Sequence, residues 1–298
     1  MAPRLSAEYA RSVHEQHARI TRGKTAAGYW EFAARAPRRD LKAYVQRYCG
    51  YVEATAEPLR RREFPSPHVV VILELGPPIR IFENGSMSHW TRHRGGFTAG
   101  ILDTFTITEH DGFQRGLEVT LTPVGAALVF RVSMTELCGR IVDLHDVLPP
   151  HHRDLTERLD ALPSWDARFD LVEQVIAQRV EAADRRIAAV VHALRWIEEH
   201  GGTAEVGALS GELGYSQKHV IHLFREHVGV PPKQLARIVR FHRLIDHLRR
   251  GGTGTWAQLA LEFGYYDQSH LVRDVRQFAG AAPTDARAML SVFGDGSI

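Results

Sequence analysis

Residues 213–235 and 263–287 are two versions of one pattern, and this repeat limits the chain more than any other feature. Gly214 and Tyr215 return as Gly264 and Tyr265 at a shift of 50. After one extra residue, His219, Arg225, Gly229 and Pro232 return as His270, Arg276, Gly280 and Pro283 at a shift of 51. A repeat this short is one supersecondary unit that cannot bury its apolar side alone, so both copies must pack on shared helices.

Each copy reads as helix, sharp turn, helix. In the first, Glu205–Leu213 places Val206, Leu209 and Leu213 at helical spacing, and Gln217–His227 does the same with Val220, Leu223 and Phe224. Between them Gly214 permits a tight turn, and Ser216 suits the cap of the helix that follows. Trp256–Phe263, Gly264-Tyr265 and Gln268–Phe278 form the second copy. One helix, Pro232–Arg250, joins the two, and an amphipathic helix, Ile187–Glu199, precedes them and stops at Gly201-Gly202. The joining helix carries Lys233, Arg237, Arg240, Arg243, Arg249 and Arg250 against Asp246 alone. Such a stripe is either a footprint for nucleic acid or a solvated face. A helix-turn-helix lays its second helix in a major groove, and successive grooves lie roughly 34 Å apart. A helix of this length spans about 28 Å, so two units at its ends can enter adjacent grooves.

The segment FGYYDQSHLVRDVRQFAGAAPTDAR, Phe263–Arg287, and LGYSQKHVIHLFREHVGVPPKQL, Leu213–Leu235, closely resemble the AraC/XylS family of transcription regulators. The resemblance covers about residues 185–293. It implies an all-α DNA-binding domain, 184–298, with helix-turn-helix units at about 204–229 and 255–280, and double-stranded DNA as partner. By position, it implies recognition residues Gln217, Lys218, Ile221, His222 and Arg225 in the first unit. In the second it implies Gln268, Ser269, His270, Val272 and Arg273, with Arg276 toward phosphate. The family usually has Arg where His222 stands, so the first unit is expected to bind more weakly or with a pH dependence. Val275, Ala282 and Ala286 also depart from the pattern, at positions that concern packing.

The front of the chain has a different character. Residues 1–60 read as mainly helical with loops, Leu41, Tyr44, Val45 and Tyr48 standing at helical spacing. From His68 the pattern is β: His68–Leu75, Ile79–Glu83, Phe97–Leu102, Thr104–Glu109 and Arg115–Thr122, with Asn84-Gly85 and Asp111-Gly112 as turns. Short strands with such turns suggest a small barrel or sandwich. Helices then return over Gly125–Val132, Met134–Ile141, Arg153–Leu162 and Trp165–Val180, the last with Phe169, Val172, Ile176 and Val180 on one face for its own core or a second copy. The whole is an α+β chain: a β-rich front domain, 1–183, cupin-like by resemblance, and an all-α rear. The resemblance implies that the front domain binds a small effector or mediates homodimer formation. An apolar pocket inside the strands is the default effector site, with Trp30, Trp90, His93 and His110 as conceivable lining.

Several classes are excluded or disfavoured. The chain has no G-x-S-x-G elbow, P-loop or dinucleotide fingerprint, so no catalytic residues are assigned. Cys49 and Cys138 are too few for a cysteine-rich zinc site and read as buried thiols in a reducing compartment. His151-His152 are adjacent and do not converge on a metal, so no metal and no cofactor is expected. No run of eighteen apolar residues occurs, and Met1–Lys24 lacks a secretory apolar core, so a cytoplasmic protein without membrane contact is expected. The expectation is a DNA-binding regulator, more often an activator in this family, contacting RNA polymerase. The alternatives are a constitutive regulator with a purely structural or protein-binding front domain, or a β-barrel enzyme with an accessory helix-turn-helix.

Overall fold

The computed structural model describes residues 17–82, 88–180, 185–203 and 205–292. The front domain opens with three strands where helices were expected, β1 (Arg19–Thr25), β2 (Gly28–Arg35) and β3 (Val45–Thr55); β4 (Leu59–Glu63) follows, and β5 (Val69–Glu74) lies within the strand expected over His68–Leu75. Leu41 closes a single 3-10 turn, Arg39–Leu41, while Val45 and Tyr48 lie on β3. A shift of register between Val45 and Arg47 breaks the alternation there, so the apolar residues mimic helical spacing. β6 (Arg80–Phe82), β7 (Gly96–Ala99), β8 (Thr106–His110), β9 (Phe113–Leu121) and β10 (Ile141–Asp143) complete the strands. The Asn84-Gly85 turn lies outside the described residues. Asp111-Gly112 joins β8 to β9, as its residue types favour.

The strands form two antiparallel sheets rather than one closed barrel, seven strands in the order β1-β2-β3-β9-β5-β7-β10 and three in the order β4-β8-β6. Alternation gives the large sheet two faces. Tyr48, Val69, Val71, Leu73, Leu117, Val119 and Leu121 share a core with the helices that follow. Arg47, Cys49, Tyr51 and Glu53 alternate with that set, and Glu53 reaches Arg61 of β4 across the gap between sheets.

Those helices are α1 (Pro123–Phe130), α2 (Met134–Leu137), α3 (Leu144–Val147), α4 (Leu155–Asp160) and α5 (Trp165–Val180). Thr122 caps α1, its Oγ1 accepting from the Gly125 amide at 3.0 Å, with Pro123 at the first helical position. The helix expected over Met134–Ile141 stops at Leu137, because Ile141–Asp143 pair with β7 instead. Phe169, Val172, Ile176 and Val180 of α5 are buried in the domain's own core.

The rear is all helix: α6 (Arg185–Glu199), α7 (Val206–Leu213), α8 (Gln217–His227), α9 (Pro232–Arg249), α10 (Trp256–Glu262), α11 (Gln268–Ala279) and α12 (Pro283–Val292). The repeat explains the core. Val220, Leu223 and Phe224 of α8 and Leu271, Val275 and Phe278 of α11 join one cluster built on Ile238, Phe241, Leu244 and Ile245 of α9. Ile101 and Val124 of the front domain belong to the same cluster.

Candidate nucleic-acid interface

The two recognition helices begin alike. Ser216 Oγ accepts from the His219 amide at 3.3 Å, and Asp267 Oδ1 accepts from the His270 amide at 2.7 Å. Each cap fixes where its helix starts and satisfies an otherwise unpaired amide. Gly214 and Gly264 hold the preceding turns at φ +67° and +72°. A Tyr–His ring contact follows in both units, Tyr215–His219 at 4.7 Å and Tyr265–His270 at 5.4 Å between centroids.

Burial separates the inner and outer faces. On α8, Gln217, Lys218, His222 and Arg225 are exposed and Ile221 is half-buried. On α11, Gln268, Ser269, Arg273 and Arg276 are exposed, while His270 and Val272 are half-buried. Each helix therefore brings its expected residues to one outward side, with His270 partly committed to Tyr265. Lys218, Arg225, Arg273 and Arg276 supply cations, and His222 Nε2 lies 3.8 Å from Glu226. Arg273 Nε donates back to the Ser269 carbonyl at 3.4 Å, leaving the rest of its guanidinium fork outward.

Two features were not read from the sequence. The extra residue that separates the 50 and 51 shifts is Tyr266, which is 94% exposed directly before the Asp267 cap. The one-residue offset was its only signal. The basic stripe of α9, by contrast, is largely internal stapling. Arg237 binds Asp274 and Gln277, Arg240 Nη1 donates to the Gly202 carbonyl, and Arg243 Nη1 donates to the Gly201 carbonyl. Burial lowers the Arg240 pKa. Lys233 and Arg250 remain exposed at the two ends, and Arg243 is exposed despite its bond to Gly201.

The front-domain residues considered for an effector do not converge. Trp90 is exposed between the Arg80 and Arg92 guanidiniums, Trp30 packs on Phe32, His93 lies 3.3 Å from Asp143, and His110 is buried against Glu53. Between the sheets, burial pushes the Glu53 carboxyl up, and His110 Nε2 at 3.4 Å together with hydrogen bonds from Arg61 and Gln114 outweighs it, holding it down to about 2. Nearby Glu74 accepts from the Ile79 amide at 3.1 Å and burial raises it to about 7. An apolar cavity of about 30 Å³ lies on the opposite face of the large sheet, lined by Val71, Val119, Phe130, Leu144 and Ile176 among others. That is room for a water or two rather than an effector.

Residues 209–289 match the family model of a helix-turn-helix domain, a span that takes in both recognition helices and the helix between them. This segment is a helix-turn-helix domain of the AraC type. The helix-turn-helix domain supports a DNA-binding transcription regulator. Among solved structures, the chain is similar to ToxT from Vibrio cholerae O395, at 11% identity and a TM-score of 0.46, covering 79% of this chain and 98% of that one. It is similar to the C-terminal domain of AraT, a response regulator from Geobacillus stearothermophilus, at 17% identity and a TM-score of 0.33, covering 35% and 88%. It is also similar to a formate complex of Lactobacillus farciminis oxalate decarboxylase, at 14% identity and a TM-score of 0.22, covering 44% and 45%. No curated protein matches the chain. Among the described residues, no helix is long and apolar enough to cross a membrane.

Proposed function

We propose that one copy of this chain reads two consecutive major grooves of a promoter duplex through α8 and α11. The two capped helices with their outward polar sides carry this reading. Gln217, Lys218, Ile221, His222 and Arg225 serve the first half-site. Gln268, Ser269, His270, Val272 and Arg273 serve the second, with Arg276 on phosphate. Arg273 pairs with guanine, because its fork matches the two acceptors of that base edge. At 1.5 Å per residue, α9 spans about 27 Å, close to the groove repeat of roughly 34 Å. Residues 1–183 act as the controlling domain and 184–298 as the DNA-binding one, in the cytoplasm, with activation through contact with RNA polymerase. A small effector, where one is used, acts on the front domain rather than through catalysis. Each chain already presents both recognition helices, so the reading needs no homodimer, and the face of α5 considered for one is buried.

The test is selection of duplexes from a random pool by purified protein, then salt-dependent gel shifts with wild type and Arg273→Ala. A selected bipartite sequence, bound about tenfold more weakly by the variant at unchanged melting temperature, supports the reading. Binding that is equal for all sequences, or indifferent to Arg273, overturns it.

A further inference from the structure

The front domain grips both helix-turn-helix units at equivalent points of the repeat. Gly229 and Gly280, related by the shift of 51, each follow a recognition helix with φ of +85° and +62°. A Cβ on Gly229 would lie 2.6 Å from the Met134 carbonyl oxygen, and one on Gly280 would lie 2.0 Å from Cε1 of Phe105. Both glycines are thus flush against front-domain atoms. One short segment serves both contacts. The Ile101 carbonyl accepts from the Gly139 amide at 2.9 Å and the Cys138 thiol at 3.2 Å, tying down the end of α2, which packs beside α8. Four residues on, the Phe105 ring covers Gly280. Arg62 stacks 4.2 Å from the centre of that ring and donates to the Ala279 carbonyl at 2.6 Å, where a cation favours the negative end of α11. Thr104 Oγ1 adds a contact to the Gln277 carbonyl at 3.4 Å.

Every one of these grips is at the far end of its recognition helix. The leading residues Gln217, Lys218, Gln268 and Ser269 stay exposed. The front domain therefore leaves the reading surface open and constrains where the two helices stand. The constraint adds to the packing of α11 on α9 and to the Arg237–Asp274 pair, because α9 reaches α10 through Gly251, Gly252 and Gly254, a connection with ample backbone freedom.

We infer that Phe105 and Arg62 are positioning residues that set the half-site spacing the protein accepts. The inference rests on the two-groove reading proposed above. An inserted base pair moves the second half-site by about 3.4 Å and turns it by roughly 35°. Only a clamped second unit refuses that change.

The experiment takes the bipartite duplex selected by the full-length wild type and inserts one or two base pairs between its halves. Wild type is expected to lose about tenfold in affinity per insertion, and Phe105→Ala/Arg62→Ala roughly threefold or less. Affinity of the double variant for a duplex with only the second half-site should stay within about twofold of wild type. A general loss of structure would lower both affinities together. Phe105→Leu and Arg62→Lys, milder changes that keep the fold, should fall between the two in spacing preference. Spacing preference that is absent in wild type, or unchanged in all the variants, overturns the inference. Failure of wild type to select any sequence would instead defeat the DNA reading itself.

Discussion

Arg237 of the joining helix donates twice to one oxygen of Asp274, at 3.2 and 2.6 Å, and Asp274 sits 1% exposed in the middle of the second recognition helix. The pair fixes α11 on α9 from the inside, while Arg273, its neighbour in sequence, faces outward. Removing one partner strands a buried charge, which costs far more than the pair itself contributes. Arg237→Ala should therefore destabilise the chain by about 3 kcal/mol, measured by urea unfolding. An unchanged midpoint would show that water replaces the arginine.

Arg276 and Arg273 should fail in different ways. A phosphate contact carries no sequence information but releases counterions. Arg276→Ala should weaken binding to every duplex alike and flatten the slope of log affinity against log salt by about 0.9. Arg273→Ala should instead change which duplexes are preferred. Gel shifts across a salt series on selected and scrambled duplexes separate the two, and a sequence-dependent loss at Arg276 would place it on a base.

His222 stands on the exposed side of α8 with Glu226 3.8 Å away. An arginine at this site would offer a forked donor in place of a ring. His222→Arg should tighten binding by up to about tenfold, and only on duplexes that retain the first half-site. Equal tightening on any duplex would mean that added charge, rather than a new base contact, produced the gain.

Glu74 gives the front domain a pH dependence of known sign. Burial raises its carboxyl from 4.5 to about 7. Between those values the folded chain keeps a proton that the unfolded chain has released, so stability falls as pH rises through the window. The full loss, reached above pH 7, is roughly 3 kcal/mol. Glu74→Gln cannot ionise, so its melting temperature should exceed that of wild type by several degrees at pH 8 and nearly match it at pH 5. Equal melting temperatures at pH 8 would mean that the carboxylate finds partners when it ionises.

The rear domain was legible because its apolar residues recur with the helical period and every turn carries a glycine or a cap. Val220, Leu223 and Phe224 and their counterparts fell inside as their spacing required. The first fifty described residues were not legible. β1 is exposed almost throughout, so it shows no apolar alternation. β3 buries Glu53 and sets Arg47 against Glu118 of β9, polar residues that hide a strand from a hydrophobic pattern. The same limit affected the site. The outward residues could be read from helix phase, but the stripe holding Arg240 and Arg243 read as a nucleic-acid footprint or a solvated face, because nothing local shows that the carbonyls of Gly202 and Gly201 lie within their reach.

The grip on Gly229 and Gly280 also separates two kinds of inheritance in this chain. Changes at those glycines, or at the front-domain atoms against them, alter the frame in which both copies are held. On the proposed reading, changes at Gln217, Lys218, Gln268 or Arg273 alter a word without altering the frame. A lineage of such chains could therefore acquire new promoters one outward residue at a time, while the geometry that pairs the two words stayed as it was.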